Sequence, residues 1–423
     1  MNDLAYRILN MFESIWYIIV PVMLFFIFRE LWLNHVRIAF IKNLKWVLLD
    51  VRIPKEVEKT TKAMETIFSG FHAIHTKIDF LDTWWKGKLQ LGFSLEIISL
   101  GGEVHFVIGA PEQFQSLVET QIYAQYRDAE ITVIDDYTLT LPQSLPSDAY
   151  EVNGGEIILT KDDGYPIRTY TEFEDAKAPI EARVDPLASL LEFMSSIGPD
   201  EKVFIHTLIT PIGDEWKLEG EKLIAKLSGK KVKYEPGVIV QGIELVFTGI
   251  ISIFEFFFSM LGSLVGGDTG DGEKEEKKEE KKDVGPLERT ALDAIEKNIM
   301  KLAFNTGIRF FYVAPRGVFQ KARSNELMAG FKQFNTMHLN GFKGNSGRAT
   351  KEAKYFFKKR TDRYRKIKFY DDFKKRKKGP MKTFTFNTEE IATIYHFPGS
   401  GVTAPSLPRV GATKGQPPIN LPI

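Results

Sequence analysis

The chain reads as an α+β protein with one N-terminal transmembrane helix, two ferredoxin-like β-α-β-β-α-β modules and a proline-rich C-terminal arm. Three observations predict this. An uncharged run fills residues 15–28. Between residues 46 and 134, apolar positions alternate between period two and period 3.6, in the order strand, helix, strand, strand, helix, strand. That is the order of a split β-α-β unit. Prolines at 398, 405, 408, 417, 418 and 422 crowd the last segment too densely for a packed element.

Composition bounds the reading. A chain of 423 residues has room for two or three domains. With 43% hydrophobic and 26% charged residues it can bury a core. Net charge is +1, so any attraction to nucleic acid or lipid must come from a local patch. There is no cysteine, which excludes disulfides, thiolate metal sites and cysteine catalysis.

Residues 1–37 form the expected anchor. The run 15–28, extended by Met11, Phe12, Leu31, Trp32 and Leu33, reaches the roughly 20 residues that a bilayer needs. Trp16, Tyr17 and Trp32 suit the interfacial belts, with Phe25 and Phe26 between them. A buried helix is the competing reading, because the uncharged core is short. Asp3 and Glu13 argue against a signal peptide. Arg29, Arg37, Lys42 and Lys45 follow the run and only Arg7 precedes it. The positive-inside rule then puts the bulk of the chain in the cytoplasm, as a single-pass protein of the cytoplasmic membrane.

Residues 38–200 make the first expected module. Residues 46–53 read as a strand, and Pro54 opens a helix with a stripe of Val57, Thr61, Met64, Phe68 and Phe71. Residues 93–99 and 104–108 read as a hairpin around Gly101 and Gly102. Pro111 opens a helix striped by Phe114, Leu117, Val118, Gln121 and Ile122, and residues 130–134 close the unit. The stretch 137–200 is less regular, with strands at 156–159 and 168–170 and a capped helix over 185–194.

Residues 201–350 read as a second copy. Strand 202–209 ends before Pro211 as strand 46–53 ends before Pro54. A helix opened by Pro286 carries Leu287, Ala291, Ile295, Ile299 and Leu302. Strand 307–315, running through Ala314-Pro315 to Phe319-Gln320, matches strand 104–111, running through Ala110-Pro111 to Phe114-Gln115. Duplication with so long a period means two domains and not a solenoid. The scheme requires residues 230–285 to be an insertion. Within it, 245–265 is apolar, with Phe254, Phe256, Phe257, Phe258, Met260 and Leu261 around Glu255. An in-plane or re-entrant membrane segment is expected; a second span and a subunit interface are the alternatives. Glycine, aspartate and alternating Glu/Lys residues over 266–282 read as a solvated spacer.

Residues 351–383 are basic and interleaved with aromatics. Lys358, Lys359, Arg360, Arg363, Arg365, Lys374, Lys375 and Arg376 are candidate contacts to nucleic-acid phosphates or to anionic lipid. A solvated helix with buried aromatics is the plain alternative. Catalytic signatures are missing. Gly341 to Thr350 is glycine-rich, but Arg348-Ala349 stand where a phosphate-binding loop needs Lys-Ser/Thr. His72 and His75 share a helical spacing without a third ligand. The chain reads as a non-enzyme with no cofactor and no metal.

Residues 384–423 begin with a short strand and a helix capped by Asn387 or Thr388, with Glu389 and Glu390 in its first turn. His396-Phe397-Pro398 stop it, and an extended tail follows. The stretch from Phe386 through Tyr395 to Pro398, with Val402-Thr-Ala-Pro405 and Pro417-Pro-Ile-Asn-Leu-Pro422, resembles the segment just before the P-loop ATPase domain of large membrane-associated ATPases of candidate-phyla (patescibacterial) bacteria. Those are similar to conjugative coupling proteins and to FtsK/HerA translocases. The resemblance implies a membrane-proximal half without its ATPase, working with a separately encoded P-loop ATPase in a type IV secretion-like system. It makes His396, Phe397, Pro398, Pro417, Pro418 and Leu421 candidate docking residues. The expected function is a membrane-anchored scaffold or adaptor, compatible with a homo-oligomer. The alternative is a membrane-tethered nucleic-acid-binding protein acting through 351–382.

Overall fold

The structure, a computed structural model, describes residues 2–54, 59–173, 184–228, 285–350, 358–379 and 381–399. It is a mixed α+β architecture on one antiparallel sheet. Helix α1 (Asn2–Asn43) leads into β1 (Trp46–Arg52). Then come α2 (Lys62–Phe71), α3 (Phe80–Lys86), β2 (Phe93–Leu100), β3 (Glu103–Pro111), α4 (Gln115–Gln125) and β4 (Glu130–Ile134). These strands lie in the order β4-β1-β3-β2, with every neighbour antiparallel. This is the expected split β-α-β arrangement. The β2–β3 turn is Gly101-Gly102, both at positive φ, a conformation open to glycine without strain.

The second copy is phased differently from the sequence reading. It comprises β5 (Tyr150–Leu159), α5 (Ala188–Ser195), β6 (Lys202–Pro211), β7 (Ala303–Pro315), α8 (Arg323–Lys332) and β8 (Phe342–Ala349). The order β6-β7-β5-β8 repeats the first unit's topology in mirror sequence. The copy therefore starts near Tyr150, not at residue 201. The irregular stretch assigned to the first module supplies its first strand and helix. Strand β6 is the counterpart of β2 and not of β1, while the pairing of 104–111 with 307–315 holds, since β3 matches β7. The insertion consequently sits inside the β6–β7 hairpin, where the first copy has two glycines. Both halves fuse through β2 and β6, which pair from Phe93↔Ile209 to Leu100↔Lys202.

Two helices frame the insertion, α6 (Glu215–Leu227) and α7 (Pro286–Ile299). They pack on each other through Trp216, Leu223, Ile295 and Ile299, with Ala303 at their base. The apolar stretch with Phe254, Phe256, Phe257, Phe258, Met260 and Leu261 lies outside the described residues. The chain then supplies α9 (Lys358–Lys374), β9 (Phe384–Asn387) on β7, and α10 (Thr388–Ile394).

One face of the sheet packs under α2, α4, α5, α8 and α10, around Phe68, Phe71, Leu95, Phe106, Ile205 and Phe331. The other packs under α9 and the 137–145 segment, around Tyr137, Phe204, Phe311, Tyr370 and Phe373. The registers also define two ends. Trp46 pairs with Pro111, Ser94 with Gly109, Phe93 with Ile209, and Pro211 with Phe304. Thus α1 and both roots of the insertion leave from one end of the sheet. Tyr150 pairs with Pro315 at the opposite end.

Helix α1 is anchored to the body where Leu33 and Val36 are buried. From Val20 to Leu31 its apolar side chains are largely exposed; Phe25 and Leu31 are 54% and 65% accessible. Among the described residues, no helix is long and apolar enough to cross a membrane, so the expected N-terminal span finds no support there. The uncharged run straddles that description: Tyr17, Phe25, Phe26 and Trp32 fall within it, whereas the Trp16 side chain does not.

Candidate functional site

The most unusual chemistry lies under α9. Strand alternation and pairing place Glu96 beside His206, His206 beside Arg309, and Arg309 beside Glu156, a row of titratable residues across the adjacent strands β2, β6, β7 and β5. All four are buried. Charges removed from water must be paired or hydrogen-bonded to persist. Arg376, just past α9, does this for Glu96. Its Nε lies 2.6 Å from Glu96 Oε1, and an Nη lies 2.9 Å from Asp136 Oδ2. Arg376 has φ +48°, a left-handed conformation that a side chain adopts only when its surroundings insist.

Tyr137 completes the cluster. Its O–H donates to Glu96 Oε2 at 2.6 Å and it lies 2.5 Å from His206 Nε2. With that proton given to Glu96, the tyrosine oxygen accepts from His206 Nε2–H. The imidazole is then the neutral Nε2–H tautomer, and its Nδ1 has no partner among the described residues. Burial, with Arg309 and Arg376 nearby, pushes His206 down to about 3, which fits a neutral ring. Burial alone would raise Glu96, but the facing His206 and Arg376 reverse this and hold it at about 2. Since the ring is neutral near pH 7, Arg376 is the cation that keeps Glu96 ionised. Burial lowers Arg309 to about 10, so it stays charged while donating to the carbonyls of Asp372 (2.9 Å) and Lys377 (3.0 Å) at the end of α9.

Carboxylate, phenol, imidazole and guanidinium together resemble an acid–base site. Yet general acid–base work needs a group within reach of substrate, and Glu96 and His206 are fully enclosed. What the cluster does physically is join parts. Glu96 belongs to the first copy, His206 and Arg309 to the second, and Arg376 to the segment lying over both. Glu96 and Tyr137 were not singled out in the sequence. Glu96 lies on a strand and Tyr137 in the turn after β4, and it is the 137–145 segment together with α9 that encloses them.

The basic segment divides in two. Lys358, Lys359, Arg360, Arg363 and Arg365 are exposed, and none forms an ion pair among the described residues. The later residues are engaged inside the chain. Lys366 pairs with Glu151 (2.7 Å), Lys375 with Asp371 (2.7 Å), Lys374 lies over the Tyr370 ring, and Arg376 is locked in the buried cluster. Arg376 is therefore a structural residue and not a surface contact. Helix α9 and the turn after it run along the sheet, from Lys366 at Glu151 to Lys378 at Asn305 and Thr210. Its free basic turns thus lie at the end opposite α1.

The root of the C-terminal arm is also internal. Asn387 caps α10 by accepting from Glu390 N (2.9 Å), and Glu390 returns a carboxylate to Asn387 N (3.0 Å). His396 is buried against Ala392 O and Asp185, and Phe397 packs edge-on against Phe106 and Tyr126. Of the proposed docking residues these two hold the arm to the body. Pro398 is half-buried, and Pro417, Pro418 and Leu421 lie outside the described residues.

A cleft of about 530 Å³ opens beside α6, lined by Lys161, Lys222, Lys226 and Lys382 together with Asp162, Asp163 and Glu219. Its charges oppose one another, so it favours no single sign of ligand. His72 and His75 stack 5.7 Å apart, with His72 bound to the Ile212 carbonyl. Among the described residues, no group of three His, Asp or Glu side chains could hold a metal ion.

No curated protein matches the chain. A family model described as a domain of unknown function (DUF8128) matches residues 39–407, and the chain belongs to that family.

Proposed function

We propose that the chain is a membrane-anchored, non-catalytic scaffold held in the cytoplasmic membrane by α1. The observation that carries this reading is the exposed apolar stretch of α1. A helix that is hydrophobic on every side is not stable in water and belongs in a core or a bilayer. Among the described residues, Val20, Val22, Met23, Leu24, Phe25, Ile27, Phe28 and Leu31 are exposed, and the helix leaves the sheet at the same end as the insertion roots. The resemblance of the C-terminal segment to the membrane-proximal part of P-loop ATPases supports a separately encoded ATPase as the partner, engaged by the arm beyond Pro398. The test is two-fold. The full chain, expressed with its genomic neighbours, should stay in the membrane pellet after alkaline carbonate washing and co-purify with a Walker A protein. Release by carbonate would contradict the anchor; retention without that partner would contradict the adaptor role.

A second reading concerns the basic turns of α9, and one observation favours it. Residues 358–365 project at the end opposite α1, so if α1 is in the bilayer they face away from it. Anionic lipid is then the poorer candidate and a soluble polyanion the better one, nucleic acid above all. Salt-sensitive retention of DNA by the detergent-solubilised chain tests this. No binding at low salt would exclude it.

A further inference from the structure

The short helix α3 sits at the side of α1. Phe80, Leu81, Trp84 and Trp85 fall at helical spacings i, i+1, i+4 and i+5, so they share one face. In a protein core that face would be covered. Here Phe80, Leu81 and Trp85 are 71%, 65% and 64% accessible. The aromatic surface is continuous with α1: Trp85 meets Trp32 edge-on at 5.9 Å, Trp32 stacks on Phe28 at 6.2 Å, and Phe80 stacks on Trp84 at 5.5 Å.

The two helices are held in fixed register. Trp32 Nε1–H donates to the Trp84 carbonyl at 2.8 Å. Gly87 ends α3 at φ +62° against the Val36 backbone, where a Cβ would come within 2.4 Å of the carbonyl. Asp82 is tied to Lys86 (2.8 Å) and Lys88 (2.7 Å). The adjoining stretches are rich in cations, with Arg29, Arg37, Lys42, Lys45, Lys77, Lys86 and Lys88 against Glu30, Asp79 and Asp82, and with Lys45 facing Glu112.

We infer that α3 is an interfacial helix whose Phe80, Leu81, Trp84 and Trp85 face lies in the headgroup–acyl boundary of an anionic bilayer leaflet. The inference rests on the reading of α1 as the anchor. Its level follows from the register: the uncharged run ends at Phe28, and α3 meets α1 at Trp32, about 6 Å further along a helix rising 1.5 Å per residue. That is where tryptophan is enriched in membrane proteins, with an apolar ring and a polar N–H facing different media. The basic residues around the patch match the sign of anionic headgroups. Through the Trp32 and Gly87 contacts, α3 would then fix the orientation of the body on the membrane, which one α1 helix alone leaves free to swivel.

The absence of cysteine makes a direct test simple. Full-length Leu24→Cys and Leu81→Cys chains, each carrying one nitrobenzoxadiazole label, are placed in vesicles of phosphatidylcholine and phosphatidylglycerol. Both sites are exposed, so the labels leave the core alone. Nitroxide lipids then report depth. The expected result is a Leu24 label quenched most by a deep acyl nitroxide and a Leu81 label quenched most by a shallow one. A Leu81 label quenched only by aqueous iodide, with Leu24 still deep, overturns the role of α3 and leaves the anchor standing. A Leu24 label quenched by iodide overturns the anchor, and this inference with it. As a second variant, Phe80→Ser with Trp85→Ser should lose the shallow quenching at Leu81 while Leu24 stays deep; unchanged quenching also overturns it.

Discussion

The two ends of the sheet differ in kind. At one end leave α1, the α3 loop and both roots of the insertion, with apolar side chains facing outward. At the other stand the free basic turns of α9, near Glu151. Between them, a layer of buried charge, Glu96 and Arg309, lies under α9 and the turn that follows it, where Arg376 pairs with Glu96. A duplicated fold explains how such polarity arises. In the first copy the β2–β3 hairpin closes with two glycines, at the basic end. Fusion through antiparallel β2 and β6 turns the second copy over, so its equivalent hairpin opens at the α1 end. An insertion there necessarily joins α1 on the same side.

The largest predicted effect concerns the apolar end. Phe25→Arg with Phe26→Arg puts two cations into α1, at about 2.5–3.5 kcal/mol each at the centre of a membrane helix. Carbonate-resistant retention should vanish while the melting transition of the body stays put; persistent retention would break the contrast between the ends. Next comes the layer between them. Arg376→Met keeps the bulk and removes the cation from Glu96, an uncompensated buried charge worth about 3–5 kcal/mol. Denaturant titration should show this loss, and Glu96→Gln in the same chain should restore part of it.

Acidity sharpens the picture further. His206, held at about 3 against an ordinary 6.5, and Glu96, held at about 2 against 4.5, both bind protons more readily when unfolded. Their contribution is present above pH 6.5 and is lost progressively as pH falls toward 2. Glu390 is the opposite case. Equally buried but with no cation against it among the described residues, it is pushed up to about 8 by burial. Its contribution is present below pH 4.5 and fades as pH rises through 8. Glutamine also fits this capping position, so Glu390→Gln should keep α10 capped and flatten the slope between pH 5 and 8. An unchanged slope would show that another group carries it.

The smallest effect on stability is expected at the basic end. Lys358→Glu, Lys359→Glu and Arg360→Glu change exposed residues and should shift stability by less than about 0.5 kcal/mol each. The same changes should abolish salt-sensitive DNA binding if that reading of the turns is right.

Much of the first copy was legible because its elements are local. Met64, Phe68 and Phe71 share a helical face, and Gly101-Gly102 mark a tight turn. In the C-terminal segment a cap at Asn387 or Thr388 was equally local, and the structure selects Asn387. The second copy was misphased because its hairpin is interrupted: strand 202–209 followed by Pro211 looks like a first strand once the partner strand lies beyond residue 302. Glu96 and Arg309 drew no reading from the sequence because their partners, Arg376 and the end of α9, lie far along the chain. Arg376 could not be told from its neighbours by residue type; only its ion pairs with Glu96 and Asp136 separate it from Lys375.

The central claim is that the α1 end of the sheet stands at the bilayer. Strand β7 offers a ruler, since its 13 residues span about 40 Å at roughly 3.3 Å each. Donor fluorophores at Leu302→Cys and Val318→Cys, both exposed, mark its two ends in full-length chains reconstituted into vesicles with acceptor-labelled headgroups. The account predicts strong energy transfer from position 302 and weak transfer from 318. Equal transfer, or the reverse order, would contradict it.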